Sequence, residues 1–428
     1  MRTALFKKNA FLLFILGALA ILAYIPALAQ PFIEDDFPNI KLALIYGPSS
    51  GWEKMADDPV QRVRATTFIF SYTIYRIFGL QPVAFYAANL FLHILNCWLL
   101  FAVGRWRLVG FKVSFWAAAF FAVYEGHQEA VMWFSACNEV LMFLFGFLSF
   151  LFWLIFQEKE TSRLRWLSLS FFFFLLTLLS KESSVIFLVL FALPLLFPRR
   201  NWRETASLLP YVLIGGVYMA SIFITRSHSF RFHDQSFVLS APFWLTWVKS
   251  YGALLWFWGL SALVATVWWG SRGQPFLLSF LWMGISFIPY MFVDYMHRIP
   301  SRQTYLASAG LALLMGAAIV SMTERYGKHY RWGVRAVLVI ILFHNVGYLW
   351  TKKRQQFLER AQPTEQLLSF AKRVDGPIYM KCFPLDRSYG EAALELILNK
   401  PASVLIWKEE EARTHPQAAI FCYEKLKR

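Results

Sequence analysis

Apolar runs, most of them close to a membrane's thickness as helices, recur along this chain and limit its fold more than any other feature. About 20 apolar residues carry a helix across the hydrocarbon core. The runs lie at roughly 10–30, 83–103, 113–125, 134–156, 166–180, 183–197, 206–225, 250–269, 275–293, 305–321 and 332–350. They are continuous rather than alternating, which excludes a closed barrel. With 58% hydrophobic and 16% charged residues, the chain reads as an α-helical polytopic membrane protein of about 11 transmembrane helices. One helix through 166–197 would be about 48 Å long, too long for one crossing. A turn at Lys181-Glu182 is therefore expected there.

The net charge of +16 comes from 42 basic and 26 acidic residues. In a soluble protein this would suggest nucleic acid. Here most basic residues flank apolar runs, where they set topology, so no nucleic-acid partner is expected. Contact with acidic lipid or phosphate is a second use for them. With the N-terminus inside, "MRTALFKK", "GRWRLVGFK", "QEKETSRLR" and "PRRNWRE" all face the cytoplasm, and "EGHQEAVMW" on the other side has no Lys or Arg. The opening segment imitates a signal peptide ending in "PALAQ", but its apolar run is long enough to be an uncleaved first helix. No N-x-[ST] sequon occurs, which points towards a bacterial inner membrane.

Two domains are expected: a membrane domain, 1–350, with an outer loop at 31–82, and a small outward-facing (periplasmic) α/β domain, 351–428. Within the outer loop, "VQRVRATTFIFSYTIYRIFGL" has helical spacing suited to the interface. In the tail, "EQLLSFAKRV" and "YGEAALELIL" read as helices, and "PIYMKCF", "SVLIW" and "AIFCY" as strands. Cys382 and Cys422 share this tail, where a pair can form. Cys97 and Cys137 lie in or near apolar runs, and none of the four has metal-binding spacing.

Several polar groups stand where apolar surroundings make them costly. "EDD", Glu34 to Asp36, follows the first span. A partly desolvated carboxylate there could take a proton from an acceptor, its neighbour meeting a metal, a second acid or an arginine. The plain alternative is a solvated loop entry. Asn89, His93 and Asn96 share one face of the second span, as helix–helix contacts or a site. His127 and Glu129 sit in "YEGHQEAVMWFSACNE", without enough partners for a zinc site. Lys181 and Glu182 interrupt "LLSKESSV", either as an ion pair in a turn or with the lysine on a phosphate. "DYMHRIPSRQTYLASAGLALL" carries Arg298, Arg302 and Tyr305, which can clamp a phosphate or anchor a helix end. In the topology above all these groups lie at the outer side, which suits chemistry on a lipid-linked phosphate.

The order of these motifs resembles the GT-C superfamily of membrane glycosyltransferases. It is most similar to protein O-mannosyltransferase-like enzymes, including the transmembrane-and-tetratricopeptide group. The first-loop W-D-D of that group is matched by Glu34-Asp35-Asp36. Its Y-R-P-L-T is met by "VRATT", which keeps Arg64. "FYAANLFLHILN", "YEGHQEAVMWFSACNEVL", "LLSKESSV" and "SRQTYLASAGLALL" follow in the same order as their counterparts. They keep His93, His127, Glu129, Trp133, Ser135, Glu139, Lys181, Glu182, Arg302 and Tyr305. The departures are the lost tryptophan and proline, Tyr124 for a histidine, Cys137 for an arginine and Ser301 for a glutamate. The likeness spans about 10–350, and the tail has no recognisable tetratricopeptide repeats.

The resemblance implies an inverting glycosyltransferase using a polyprenyl-phosphate sugar and a glycan, lipid or protein hydroxyl acceptor at the outer face. Asp35 or Asp36 would act on the acceptor. Arg64, His93, His127, Glu129, Lys181, Glu182, Arg298, Arg302 and Tyr305 would line the substrate site, with Lys181 and Arg302 sharing the leaving phosphate. No cofactor is called for with certainty, and a divalent metal is left open. Two other readings use the same residues: a transporter of lipid-linked glycan, and an inactive relative that binds polyprenyl lipid.

Overall fold

The computed structural model describes residues 2–58, 61–158, 162–196, 205–225, 242–269, 273–291, 300–326 and 331–425. Each apolar run coincides with helix. In order these are α1 (Arg2–Tyr24), α2 (Asp36–Tyr46), α3 (Ala65–Phe78), α4 (Pro82–Ala102), α5 (Gly110–Val123), α6 (Cys137–Glu158), α7 (Arg163–Leu178), α8 (Phe187–Leu196) and α9 (Leu209–Ile224). There follow α10 (Phe243–Leu255), α11 (Trp258–Trp269), α12 (Gly273–Phe287), α13 (Ser308–Tyr326), α14 (Arg331–Tyr348) and α15 (Arg354–Ala371). Helices α2 and α3 belong to the 31–82 loop. Among the described residues four helices are long and apolar enough to cross a membrane, and five if one bent pair is counted as a single span.

That bent pair corrects one expectation. The span read at 250–269 is two helices, α10 and α11, meeting at 76°. Phe257 between them has φ 62, a left-handed value that a right-handed helix cannot continue through. The turn expected near Lys181 is present. Helix α7 ends at Leu178, Lys181 is extended (φ −165, ψ 147), and a 3₁₀ turn, Glu182–Ile186, leads into α8.

Helix α13 is the hub, packing on α5, α11 and α12. Where lipid removes most of the hydrophobic drive between helices, close backbone approach holds them together. Gly316 permits it, since a Cβ there would lie 2.3 Å from the Val113 carbonyl oxygen on α5. Gly310 does the same against α12, 2.7 Å from the Ser279 oxygen.

Helix does not stop at residue 350. A wider π-type turn, Leu349–Lys353, joins α14 to α15, giving 40 continuous residues, Trp332–Ala371. Beyond it come β1 (Ile378–Cys382), α16 (Arg387–Ala393), β2 (Leu405–Ile406), α17 (Glu409–Thr414) and β3 (Ala419–Cys422). The sheet is parallel in the order β2-β1-β3. Ile378, Met380, Leu394, Leu405 and Phe421 bury its face against Leu367 and Ala371 of α15. Cys382 and Cys422 are disulfide-bonded between β1 and β3. Helix α16 packs on α2, and a Lys41–Glu395 ion pair joins the same regions.

Candidate active site

The acidic triplet sits where α2 begins. Unpaired N–H groups and the helix dipole favour carboxylates at that end. Asp36 is fully buried. Its Oδ2 accepts from the Ile33 amide (3.1 Å) and the Tyr86 hydroxyl (3.0 Å). Its Oδ1 accepts from the Ser135 amide (2.8 Å) and hydroxyl (2.7 Å). Burial pushes its pKa up to about 6 against the pull of these donors. Asp35 is only half-buried, and Tyr389 of α16 is its neighbour. Adjacent acids thus have different fates: Asp36 ties the loop to α4 and to the turn before α6, and Asp35 stays accessible.

Glu34 points elsewhere again. Its φ of 44 is left-handed, which costs a residue with a Cβ about 1–2 kcal/mol. Arg360 of α15 meets it with a fork, Nε to Oε1 at 2.9 Å and Nη2 to Oε2 at 2.5 Å. The Arg360 guanidinium lies 4.2 Å from the Trp133 ring centre, and Arg302 lies 4.7 Å from the same ring. Glu129 Oε2 accepts from the Arg302 amide at 3.1 Å. A cleft of about 650 Å³ opens here, bounded by Glu34, Glu129, Phe357, Arg360, Pro384 and Tyr423.

The other charges pair with residues distant in sequence. Lys181 is buried against Glu139 of α6. Its Nζ donates to the Tyr290 hydroxyl at 3.3 Å and lies 5.0 Å from that ring. Glu182 pairs with Arg64 at 3.1 Å. Arg302 lies against Trp133. Arg298 lies outside the described residues.

His93, His127 and Tyr305 do come together, all fully buried. Asn96 Nδ2 donates to the Tyr305 hydroxyl oxygen (3.2 Å), and the same hydroxyl is hydrogen-bonded with His93 Nδ1 at 2.7 Å. His127 Nε2 meets the Ser308 hydroxyl at 2.6 Å, which itself donates to the Tyr305 carbonyl. Asn89 donates to the carbonyls of Ala130 and Val131. Interhelical hydrogen bonds of this kind join helices in lipid. The knot fastens α4 to α13 and to the 125–132 segment that carries Glu129.

Among the described residues no three His, Cys, Asp or Glu side chains group as a metal-ligand set. Glu34 and Asp36 already spend their oxygens on Arg360 and on four N–H and O–H donors. Glu34 and Asp36 could ligate a metal only by giving up these contacts.

No family model matches the sequence, and no curated protein does either. Solved structures do. The oligosaccharyltransferase of Archaeoglobus fulgidus in its apo form aligns over 92% of this chain with a TM-score of 0.56 and 10% identity. The same organism's AglB, in complex with an inhibitory peptide and a dolichol-phosphate, aligns over 95% at 0.53 and 11%. ArnT from Cupriavidus metallidurans bound to undecaprenyl phosphate aligns over 96% at 0.53 and 14%, covering 90% of that chain. The chain shares the fold of these proteins. It spans 64% of the length of the apo archaeal enzyme.

Four parts of the site escaped the sequence reading: Arg360, Tyr290, Tyr389, and the pairing of Lys181 with Glu139. Arg360 lies past residue 350, where the motif resemblance stops. The signal within reach was polarity: "TKKRQQFLERAQ" has no Gly or Pro to end the helix before it.

Proposed function

We propose that this chain is an inverting glycosyltransferase that moves a sugar from a polyprenyl-phosphate donor to a hydroxyl acceptor at the outer face of the membrane. Asp35 carries the reading. It is half-buried and, unlike Glu34, pairs with no cation among the described residues; it stands at a helix N-terminus, one residue from a cleft-lining glutamate, in a fold shared with enzymes solved with dolichol-phosphate and undecaprenyl phosphate.

In the proposed step the acceptor hydroxyl donates its hydrogen to Asp35. The freed oxygen attacks the anomeric carbon opposite the phosphate. The bond from that carbon to the phosphate oxygen breaks, and polyprenyl phosphate leaves with the electron pair. Asp36 holds the loop from below. Arg302 faces the leaving phosphate, held by its Glu129-bound amide and by Trp133. Among the described residues no carboxylate pairs with the Arg302 side chain, whereas Lys181 and Arg64 each have one. Arg64 and Glu182 flank the donor path as a pair, Arg298 is the reserve cation, and His93, His127 and Tyr305 support the frame.

The basic loops favour a cytoplasmic N-terminus, and an odd number of spans would then put the tail in the periplasm. The Cys382–Cys422 disulfide supports the second placement, since such bonds persist in oxidising compartments. The test is a transfer assay with purified protein and a panel of polyprenyl-phosphate sugars, read by mass spectrometry. Product should form with at least one donor and fall about 10²-fold or more in Asp35→Asn. No product with any donor, or full activity in Asp35→Asn, overturns the assignment.

A further inference from the structure

Helix α15 comes from the far end of the chain, yet it reaches the acidic triplet. Its Arg360 makes a forked contact with Glu34, the residue before Asp35. The fork matters because of the backbone beneath it. Glu34 is left-handed, which a side chain with a Cβ adopts only when its surroundings impose it. Directly after it the chain must present Asp35 and bury Asp36 within one helical turn. A bidentate arginine fixes direction as well as charge, which an ammonium cannot do. Arg360 is itself fixed by the Trp133 face on one side and by Phe357 at 5.3 Å. The triplet would otherwise place three carboxylates side by side. The fork neutralises the first of them and turns it away from the other two.

We infer that Arg360 is a positioning residue for the proposed reaction: by clamping Glu34 in its left-handed conformation it sets the aim of the Asp35 carboxylate. This rests on the glycosyltransferase reading for its chemistry, but the clamp is measurable without it. The tail thereby becomes part of the reaction apparatus. Tyr389 on Asp35 and Lys41 with Glu395 brace the same helix from the same direction.

The experiment uses the full chain in lipid nanodiscs, with Arg360→Gln, Arg360→Lys, Glu34→Ala and Glu34→Gly. Hydrogen exchange read by mass spectrometry over residues 32–46 reports the clamp directly. Transfer kinetics report its use. Arg360→Gln should speed exchange in that segment and lower kcat on the order of 10²-fold, the scale of a misplaced reacting group, with the donor KM within about twofold. Arg360→Lys should recover only part, because it keeps the charge and loses the fork. Glu34→Gly should outperform Glu34→Ala, since glycine takes a positive φ without a clamp. Faster exchange in Arg360→Gln, in a chain that transfers no sugar even as wild type, would retain the clamp and reject the function. Unchanged exchange in Arg360→Gln overturns the clamp, as does Glu34→Ala matching Glu34→Gly in both readouts. If Arg360→Gln does not fold, the Glu34 pair decides alone.

Discussion

Replacing Lys181 with Met removes half of an ion pair whose side chains are 4% and 1% exposed. Breaking such a pair from one side costs about 3–5 kcal/mol, because a buried charge is left without its partner. The two sides are unequal here. Without Lys181, Glu139 keeps a long 3.4 Å contact from the Tyr290 hydroxyl, so Lys181→Met belongs at about 5 kcal/mol. Without the Glu139 charge, Lys181 keeps the same hydroxyl at 3.3 Å and the face of the ring. Glu139→Gln therefore belongs nearer about 3 kcal/mol. At roughly 2 °C per kcal/mol for a large chain, these are losses of about 10 and 6 °C. The double variant Lys181→Met with Glu139→Leu has no charge to strand, and apolar groups of similar size often replace a buried pair at little cost. It should recover most of the loss. Thermal unfolding of these proteins together with the Glu139→Leu single variant, all in one detergent, closes the cycle. Additivity within about 0.5 kcal/mol, the value for independent sites, would refute the ion-pair argument. The same protein also separates frame from chemistry. A stable double variant with an unchanged donor KM places Lys181 in the frame, and a raised KM places it on the phosphate.

Asp35→Asn should lower transfer by about 10²-fold or more while leaving the unfolding temperature unchanged; a drop in temperature would show that Asp35 holds the fold instead. Asp36 has a folded pKa near 6, above the ordinary carboxylate value of 3.8. In that interval the folded chain holds a proton that the unfolded chain has released. The Asp36 contribution to stability should therefore fall as pH rises from about 4 to 6 and then level off. Asp36→Asn should remove that slope from a pH series of unfolding curves, and an unaltered slope would assign it to other groups. Reducing the disulfide, which closes a 40-residue separation, should loosen the β1–β3 edge by about 4 kcal/mol, seen as faster amide exchange at Ile420 and Phe421. A cysteine engineered near Glu409 should react with an impermeant reagent in intact cells, and reaction only after the inner membrane is opened would place the tail inside.

The helices were legible because uninterrupted apolar runs leave a chain few choices in lipid. Lys181 was legible as a charge where charge is costly. Its partner was not, because Glu139 lies 42 positions away and reaches it through the packing of α6, which no local pattern encodes. The acidic triplet stood out as a group, but the division of labour within it depends on Tyr86, Ser135 and Arg360, which arrive from three other segments. Residue 350 looked like a boundary because the composition changes after it. On a helix, a change of composition alters what the surface meets and leaves the backbone intact, so α14 continued into α15. The tail strands were readable from their β-branched and aromatic residues, and their order in the sheet was not.

The 40 residues from Trp332 to Ala371 make one rod. At 1.5 Å per residue it is about 60 Å long, twice the hydrocarbon thickness of about 30 Å. Arg360 stands roughly 42 Å along it from Trp332. Trp350 pins the rod to α1 by donating to the Leu22 carbonyl at 2.8 Å, so the rod has a pivot with an arm on each side. A bilayer that is too thick or too thin tilts helices to match. Any such tilt swings the far arm, and with it the guanidinium that grips Glu34. If Asp35 acts as proposed, the lipid around this protein would be a mechanical input, with membrane thickness a lever on its aim.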